Sequence, residues 1–257
     1  MASSTDPNPE IEEMWRQVLV HGHSHKLSFL PSSPRCIACQ VPFGGIGGKI
    51  TRLFGSRPSR KNPNVCNMCD DMLPRGGAEV DIAVLFADVR GSTGIAERLG
   101  PSAFAALLNR FYAAAAKVLI VSGGLIDKMV GDEVMALYVP NSSPVYRRNA
   151  VQAARDVMQA VGYGNRSEPW LPLGIGVHSG LAYVGKVGDG EIHDFTALGD
   201  TVNTASRLQG EASAGEIILS EEIYKDVFDL YPHLEQRILT LRGKEEPFPA
   251  RVLKLGD

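Results

Sequence analysis

No cysteine follows residue 69, and neither sign of charge predominates. No run reaches the roughly eighteen consecutive apolar residues of a membrane-crossing helix. The nearest candidate, the alanine-rich stretch 104–121, is interrupted by Asn109, Arg110 and Lys117, so no membrane span is expected. Lys plus Arg number 26 against 29 Asp plus Glu, a formal charge of -3 that gives no global attraction to a nucleic-acid backbone. The first residues place Asp6, Glu10, Glu12 and Glu13 where a secretion signal needs positive charge and then an apolar core. With all four cysteines between 36 and 69, the remainder has no disulfide option, and a reducing, cytoplasmic setting is expected. What is present is 257 residues with 44% of the hydrophobic class, enough for one domain with an appendage or two modest domains.

Composition changes near residue 78. Before it lie a polar leader, Pro/Ser clusters, Gly-rich turns and paired cysteines; after it long apolar segments alternate with brief charged turns. We place the boundary at 75–79, giving an N-terminal module over 1–78 and a second domain over 79–257. Ile11, Met14, Trp15, Val18 and Leu19 recur with helical spacing, and this stripe needs a partner either in its own chain or in a second subunit. Val80 to Val89 reads as a buried strand, 101–121 as a helix, and GGLIDKMVGDEVMALYV as a hairpin turning at Gly131 and Asp132. A helix over 144–161, a strand in LPLGIGVHSG, a helix over 199–211, and EIILS feeding the helical EEIYKDV complete a mixed α/β (α+β) sandwich.

Cys36 and Cys39 in CIAC and Cys66 and Cys69 in CNMC supply four soft thiolates. Two such knuckles converging on one tetrahedral zinc is the leading reading; an iron–sulfur cluster and a reversible dithiol switch are the alternatives. His21, His23 and His25 are read as surface residues of the leader, not ligands. Lys49, Arg52, Arg57, Arg60 and Lys61 lack aromatic interleaving, so nucleic-acid binding is not favoured. GGIGGKIT fails as a phosphate-binding loop because its first glycine falls at Phe43 and Lys49 precedes Ile50; a turn-rich excursion is expected instead.

Asp88 closes the predicted strand in LFADVRGST and Asp132 sits in the hairpin turn of KMVGDE, so adjacent sheet ends bring together two hard oxygen ligands suited to magnesium. Asn203 and Arg207 lie four apart in a predicted helix and project from one face. Gly91, Ser92 and Thr93 offer backbone amides at a helix start, a place for a polyphosphate. Asp189, His193 and Asp194 read as loop residues, and His178 as a packed strand-end histidine.

FADVRGST, KMVGDEVMA and ALGDTVNTASRL, in that order, resemble three segments of the class III adenylate and guanylate cyclase catalytic domain, across about 80–254. The resemblance implies a ferredoxin-like fold in which Asp88 and Asp132, with the Val89 carbonyl, hold two Mg2+ or Mn2+ ions. It also makes Lys128 the adenine-selecting lysine, with Thr196 completing base recognition in place of the more frequent Asp. Asn203 then orients the ribose, Arg207 stabilises the transition state, and Lys244 contacts the terminal phosphates. One chain carries both halves of a site that this family shares between domains, so a head-to-tail homodimer acting on ATP is implied. The alternatives are cyclisation of GTP or a pyrimidine nucleotide, and a nucleotide-sensing regulatory protein.

Overall fold

The computed structural model of the protein describes residues 8–23, 25–32, 34–60, 63–165, 168–189 and 192–255. Lys61 and Asp6 lie outside them, as do the side chains of Asp189 and His193. Strand β1, Gly76–Val89, sets the architecture because nearly every residue of its second half is apolar. Successive side chains of a strand point to opposite faces, so such a run must be covered on both sides. Ala83, Leu85, Ala87 and Val89 pack with Phe111, Leu119, Val157 and Met158 in one core. Val80, Ile82, Val84 and Phe86 pack with Trp15, Leu19, Ile37 and Leu137 in another.

After β1 come helices α4 (Ser92–Leu99) and α5 (Pro101–Val121), the hairpin β2 (Leu125–Val130) and β3 (Glu133–Tyr138), helix α6 (Tyr146–Ala160) and strand β4 (Leu173–Asp189). Their order β2-β3-β1-β4, antiparallel throughout, is the ferredoxin-like arrangement that the family resemblance implies. Strand β5 (Ile192–Leu198) folds back on β4 as a hairpin. Helix α7 (Asp200–Glu211) returns the chain to β6 (Glu216–Ser220), parallel to β4; helix α8 (Glu221–Val227), β7 (Glu235–Leu239) and β8 (Phe248–Lys254) complete the sheet. Helix α7 lies close on β4: a Cβ at Gly176 would sit 2.3 Å from the Gln209 amide nitrogen.

Helix α5 is the segment in which the sequence has no unbroken apolar run. It is long and apolar enough, by length and composition, to cross a bilayer, which a count of consecutive apolar residues misses. In the fold it buries Phe111, Ala115 and Leu119 against the sheet, and the Arg110 guanidinium stacks 3.9 Å from the Trp170 ring centroid.

The N-terminal stripe finds its partner in its own chain. Helix α1 (Pro9–Arg16), capped by the Asn8 side chain, runs into a π-helical turn at Gln17–His21. Trp15 is fully buried, donates Nε1–H to the Pro74 carbonyl at 3.2 Å, and stacks on Phe195 at 5.9 Å between centroids. Helix α2 (Gly45–Leu53) replaces the expected turn-rich excursion, and helix α3 (Asn67–Met72) begins at Cys66. Lys186 of β4 donates to the Leu73 carbonyl at 3.0 Å and to the Asp70 carbonyl, tying the end of α3 to the sheet.

At the far edge, Glu216 is nearly buried and receives both arms of Arg237 at 2.9 and 3.0 Å. Arg237 is the main cause, with the Ser213 amide and Lys254, that holds this carboxyl down to about 2. A depressed carboxyl stabilises the fold above its unfolded value, about 4.3, and that contribution is lost as pH falls through the folded value. Discounted for the partly exposed arginine, the contribution is about 2 kcal/mol at neutral pH. Glu216→Gln is expected to lower Tm by about 5 °C at pH 7, with the gap to wild type closing between pH 5 and 2. Equal acid sensitivity of the two melting profiles would count against this account.

Candidate functional site

The carboxylate end follows from the pairing of β1 with β3. That register sets Asp88 opposite Glu133, so the hairpin turn lies across the end of β1, where the Val89 amide donates to the Asp132 carbonyl at 3.2 Å. Tyr112 braces the same turn by donating its hydroxyl to the Gly131 carbonyl. Burial raises the Asp88 carboxyl above the ordinary carboxylate range, opposed by Arg90 at 2.9 Å and reinforced by Asp132. Glu133 is raised in the same way by burial, Asp88 and Asp132. Asp88, Asp132 and Glu133 act on one another electrostatically at this strand end, with Arg90 and Lys128 opposing, and carboxylates so placed are hard oxygen donors of the kind divalent cations take. Gly91, at φ 67°, turns the chain from β1 into α4, whose first amides around Ser92 and Thr93 have no side-chain cap. The structure therefore gathers Asp88, Val89, Asp132, Gly91, Ser92 and Thr93 at one end of the sheet.

A second group forms where β2 meets β5. The Lys128 ammonium donates to Thr196 Oγ1 at 2.8 Å, and the Thr196 hydroxyl donates to Asp127 Oδ2 at 2.9 Å. The Asp127 side chain is completely buried. Burial raises its carboxyl, with Lys128, Thr196 and the Ala197 amide opposing. Strict alternation would send Asp127 and Lys128 to opposite faces. A register shift between Ile126 and Lys128 relaxes that alternation, so both reach Thr196, and sequence reading passed over Asp127 for this reason.

Helix α7 carries the third group. Asn203 is exposed, whereas Arg207 is half-buried with one terminal nitrogen enclosed and lacking a hydrogen-bond partner. The 241–244 loop lies beside Arg207, since a Cβ on Gly243 would sit 3.4 Å from its guanidinium, and Lys244 pairs with Asp200 at the start of α7. That ion pair holds the Asp200 carboxyl below the usual range. Gln209, about 200° around the helix from Arg207, reaches Asp88 instead. Within this chain, Arg207 and Asp88 thus lie off opposite sides of α7. Glu133 and Gln209 were not singled out from sequence; the acidic residue after Asp132 was the available signal for the first.

His178 is buried, meets Phe248 edge-on at 6.0 Å, and is held below its ordinary value by burial, as a packed histidine should be.

The cysteines form a separate centre. The ligand atoms of Cys36, Cys39, Cys66 and Cys69 all lie within 4.8 Å of one another, with Cys39 Sγ 3.8 Å from Cys66 Sγ. Four sulfurs about 2.3 Å from one ion would stand about 3.8 Å apart, so the set fits one tetrahedral metal. Backbone amides support the sulfurs: Cys66 N–H donates to Cys36 Sγ and Cys69 N–H to Cys66 Sγ, each at 3.3 Å. Val18, Ala38, Val41 and Phe43 enclose the group. His23, read from sequence as a bystander, places Nε2 3.9 Å from Cys69 Sγ, beside the four sulfurs and not among them. His21 is exposed and His25 Nδ1 accepts from the Leu27 amide.

The ferredoxin-like sheet thus carries carboxylates at one strand end and a lysine-threonine pair along it. The model of the adenylate and guanylate cyclase catalytic domain matches residues 78–247, and the chain belongs to that family. It is 30% identical over 177 residues to an adenylate cyclase of Anabaena cylindrica, covering 64% of this chain and 35% of that protein. The chain therefore spans little more than a third of that relative. Among solved structures it resembles the adenylyl cyclase CyaB from P. aeruginosa, with TM-score 0.59, 28% identity, and 68% of this chain and 95% of that one covered. It resembles the guanylyl cyclase Cya2 equally, with TM-score 0.60, 28% identity, and 69% and 93% covered.

Asp127→Asn removes the buried charge that holds Lys128 and the Thr196 hydroxyl. Charge-assisted hydrogen bonds of this kind are worth roughly 1.5–3 kcal/mol, so nucleotide affinity should fall about tenfold or more. Divalent-cation affinity at the carboxylate end should stay unchanged. Titration of a fluorescent ATP analogue beside Mn2+ calorimetry separates the two, and parallel losses would refute this division of labour.

Proposed function

We propose that the protein is an adenylate cyclase converting ATP to 3',5'-cyclic AMP and pyrophosphate. The observation that carries this reading is the Lys128–Thr196–Asp127 group, a polar base-recognition set within a family that cyclises adenine or guanine nucleotides. A lysine donor and a threonine hydroxyl suit the acceptor nitrogens and exocyclic amine of adenine; guanine reverses that donor-acceptor pattern at its six-membered-ring edge. Cyclisation of GTP or a pyrimidine nucleotide, and nucleotide sensing without turnover, are the readings it displaces.

Asp88 and Asp132, with the Val89 carbonyl, are assigned as ligands of two Mg2+ or Mn2+ ions. Bound there, the ions would lower the proton affinity of the ribose 3'-hydroxyl and neutralise charge on the polyphosphate. The 3'-oxygen forms a bond to the α-phosphorus as the bond to the bridging oxygen breaks. Pyrophosphate departs with that electron pair, and the hydroxyl proton passes to solvent. Asn203 orients the ribose, and the enclosed guanidinium of Arg207 supplies donors to the phosphoryl oxygens where charge develops. Lys244 and the amides of Gly91, Ser92 and Thr93 hold the outer phosphates.

Because Arg207 and Asp88 diverge within one protomer, each site is assembled from two chains in a head-to-tail homodimer. Residues 79–257 form the catalytic domain and 1–78 a module built on the cysteine centre, acting in the cytoplasm. Zinc is assigned to that centre because the sulfur spacing suits a single ion; an iron–sulfur cluster would spread the sulfurs further.

Incubation with ATP, GTP, CTP and UTP separately, with Mg2+ or Mn2+, followed by product mass measurement, is expected to give a cyclic product predominantly from ATP. No cyclic AMP from a verified dimer would overturn the reading. Asp88→Asn and Arg207→Ala should each reduce kcat by about a hundredfold or more, and a mixture of the two variants should recover activity through one intact composite site. Heterodimers that form and stay inactive would rule out shared sites. For the cysteine centre, metal analysis should return one zinc per chain and a colourless protein; iron with visible absorption would replace zinc by a cluster.

A further inference from the structure

Helix α2 is built the wrong way round for a helix of a protein interior. Its buried positions are Gly47, Gly48 and Thr51, while Ile46 and Leu53 stand 71% and 85% exposed. Phe54, which follows it, is 67% exposed. The glycines permit backbone-to-backbone contact: a Cβ on Gly47 would lie 2.1 Å from the Pro31 carbonyl oxygen, and one on Gly48 equally close to that of Phe43. Small residues thus fasten the helix, and every large apolar side chain at its ends faces water. The segment ending at Pro31, which packs against α2, also carries Phe29, 78% exposed.

Charge along the chain segment that carries α2 is of one sign. Between Glu13 and Asp70 there are eight Lys and Arg and no Asp or Glu, in a chain whose total is -3. Lys49 and Arg52 project from α2 beside Ile46 and Leu53, and Arg52, Arg57 and Arg60 line one open cleft just after Phe54. Asp70, the first carboxylate after this span, is taken up by Lys186 and Ser59.

We propose that α2 and the turn after it dock this chain on the surface of an anionic lipid bilayer. Ile46, Leu53 and Phe54 would enter the headgroup boundary while Lys49, Arg52, Arg57 and Arg60 meet the phosphates. The pairing of aliphatic tips with cations that form no ion pair among the described residues selects this occupant. A nucleic acid would satisfy the cations and leave Ile46 and Leu53 against a polar backbone, whereas an interface membrane takes both in one step. The docking is peripheral and uses none of the residues assigned to nucleotide or metal.

The full chain is to be sedimented with phosphatidylcholine vesicles, with vesicles containing one part in three phosphatidylglycerol, and, in parallel, tested for retention of a single-stranded RNA homopolymer. The expected result is binding to anionic vesicles at least tenfold stronger than to neutral ones, since each cation at such a surface contributes about fivefold. Both L53S/F54S and R52Q/R57Q/R60Q should weaken binding at least tenfold; these are exposed positions, and circular dichroism checks that the fold is retained. Absence of vesicle binding, equal binding to neutral vesicles, binding undiminished by L53S/F54S, or RNA held more tightly than vesicles would each overturn the proposal. So would conversion of a dimer to monomers by L53S/F54S without vesicle binding, which would make the patch a contact between copies.

Discussion

The structure depends on the burial of one strand from both sides. β1 runs through the middle of the sheet with apolar residues on each face, and elsewhere in proteins such strands are covered by two layers of helix. Here one layer is α5, α6 and α8, supplied by the crossover connections themselves. The other is assembled from two sources: α7 covers the β4 side, and the N-terminal module covers the β1–β3 side through Trp15, Leu19 and Ile37. Placement of the site follows from this. The apolar run Ile82–Ala87 ends at Asp88, the next polar side chain after Asp81, near the strand end where the β2–β3 turn delivers Asp132 and Glu133.

Much of this was legible in the sequence. The mixed α/β sandwich could be read because its elements are long and uninterrupted, a near-continuous apolar run for β1, a 21-residue helix for α5, and a Gly-Asp turn between two strand-like segments, while the ferredoxin-like order came from the family resemblance. Asn203 and Arg207 fell on one helix face because their spacing admits no other outcome once α7 is a helix. What escaped was set by irregularity or by distance along the chain. Asp127 depends on a register shift that has no signature in the residues themselves. The placement of α1 on the sheet depends on Trp15 finding Phe195, 180 positions away, and an amphipathic stripe does not announce which apolar surface it will cover. Helix α2 reads as a turn because four of its flanking and internal positions are glycine; its helicity is imposed by the close contacts those glycines allow.

The Lys128–Thr196–Asp127 group sits at a junction of these layers. Thr196 follows Phe195 on β5, so one residue meets Lys128 and Asp127 while its neighbour carries the Trp15 ring. Phe195 is also the register partner of Lys186, whose ammonium caps the end of the helix bearing Cys69. The cysteine centre, the first helix and the strand of Thr196 are consequently joined by direct contacts over a few residues, and none of them is an ornament on a self-contained catalytic core.

The Trp15 contact makes the first helix part of the core that covers β1. A shortened polypeptide starting at β1 would keep every residue assigned to nucleotide and metal. It would also set Val80, Ile82, Val84 and Phe86 facing solvent across the centre of its sheet, an uncovered apolar surface of the kind that drives association between copies. The leader that looked like an appendage is a cover of the hydrophobic core, laid against β1 and β3 by Trp15, Leu19 and Ile37.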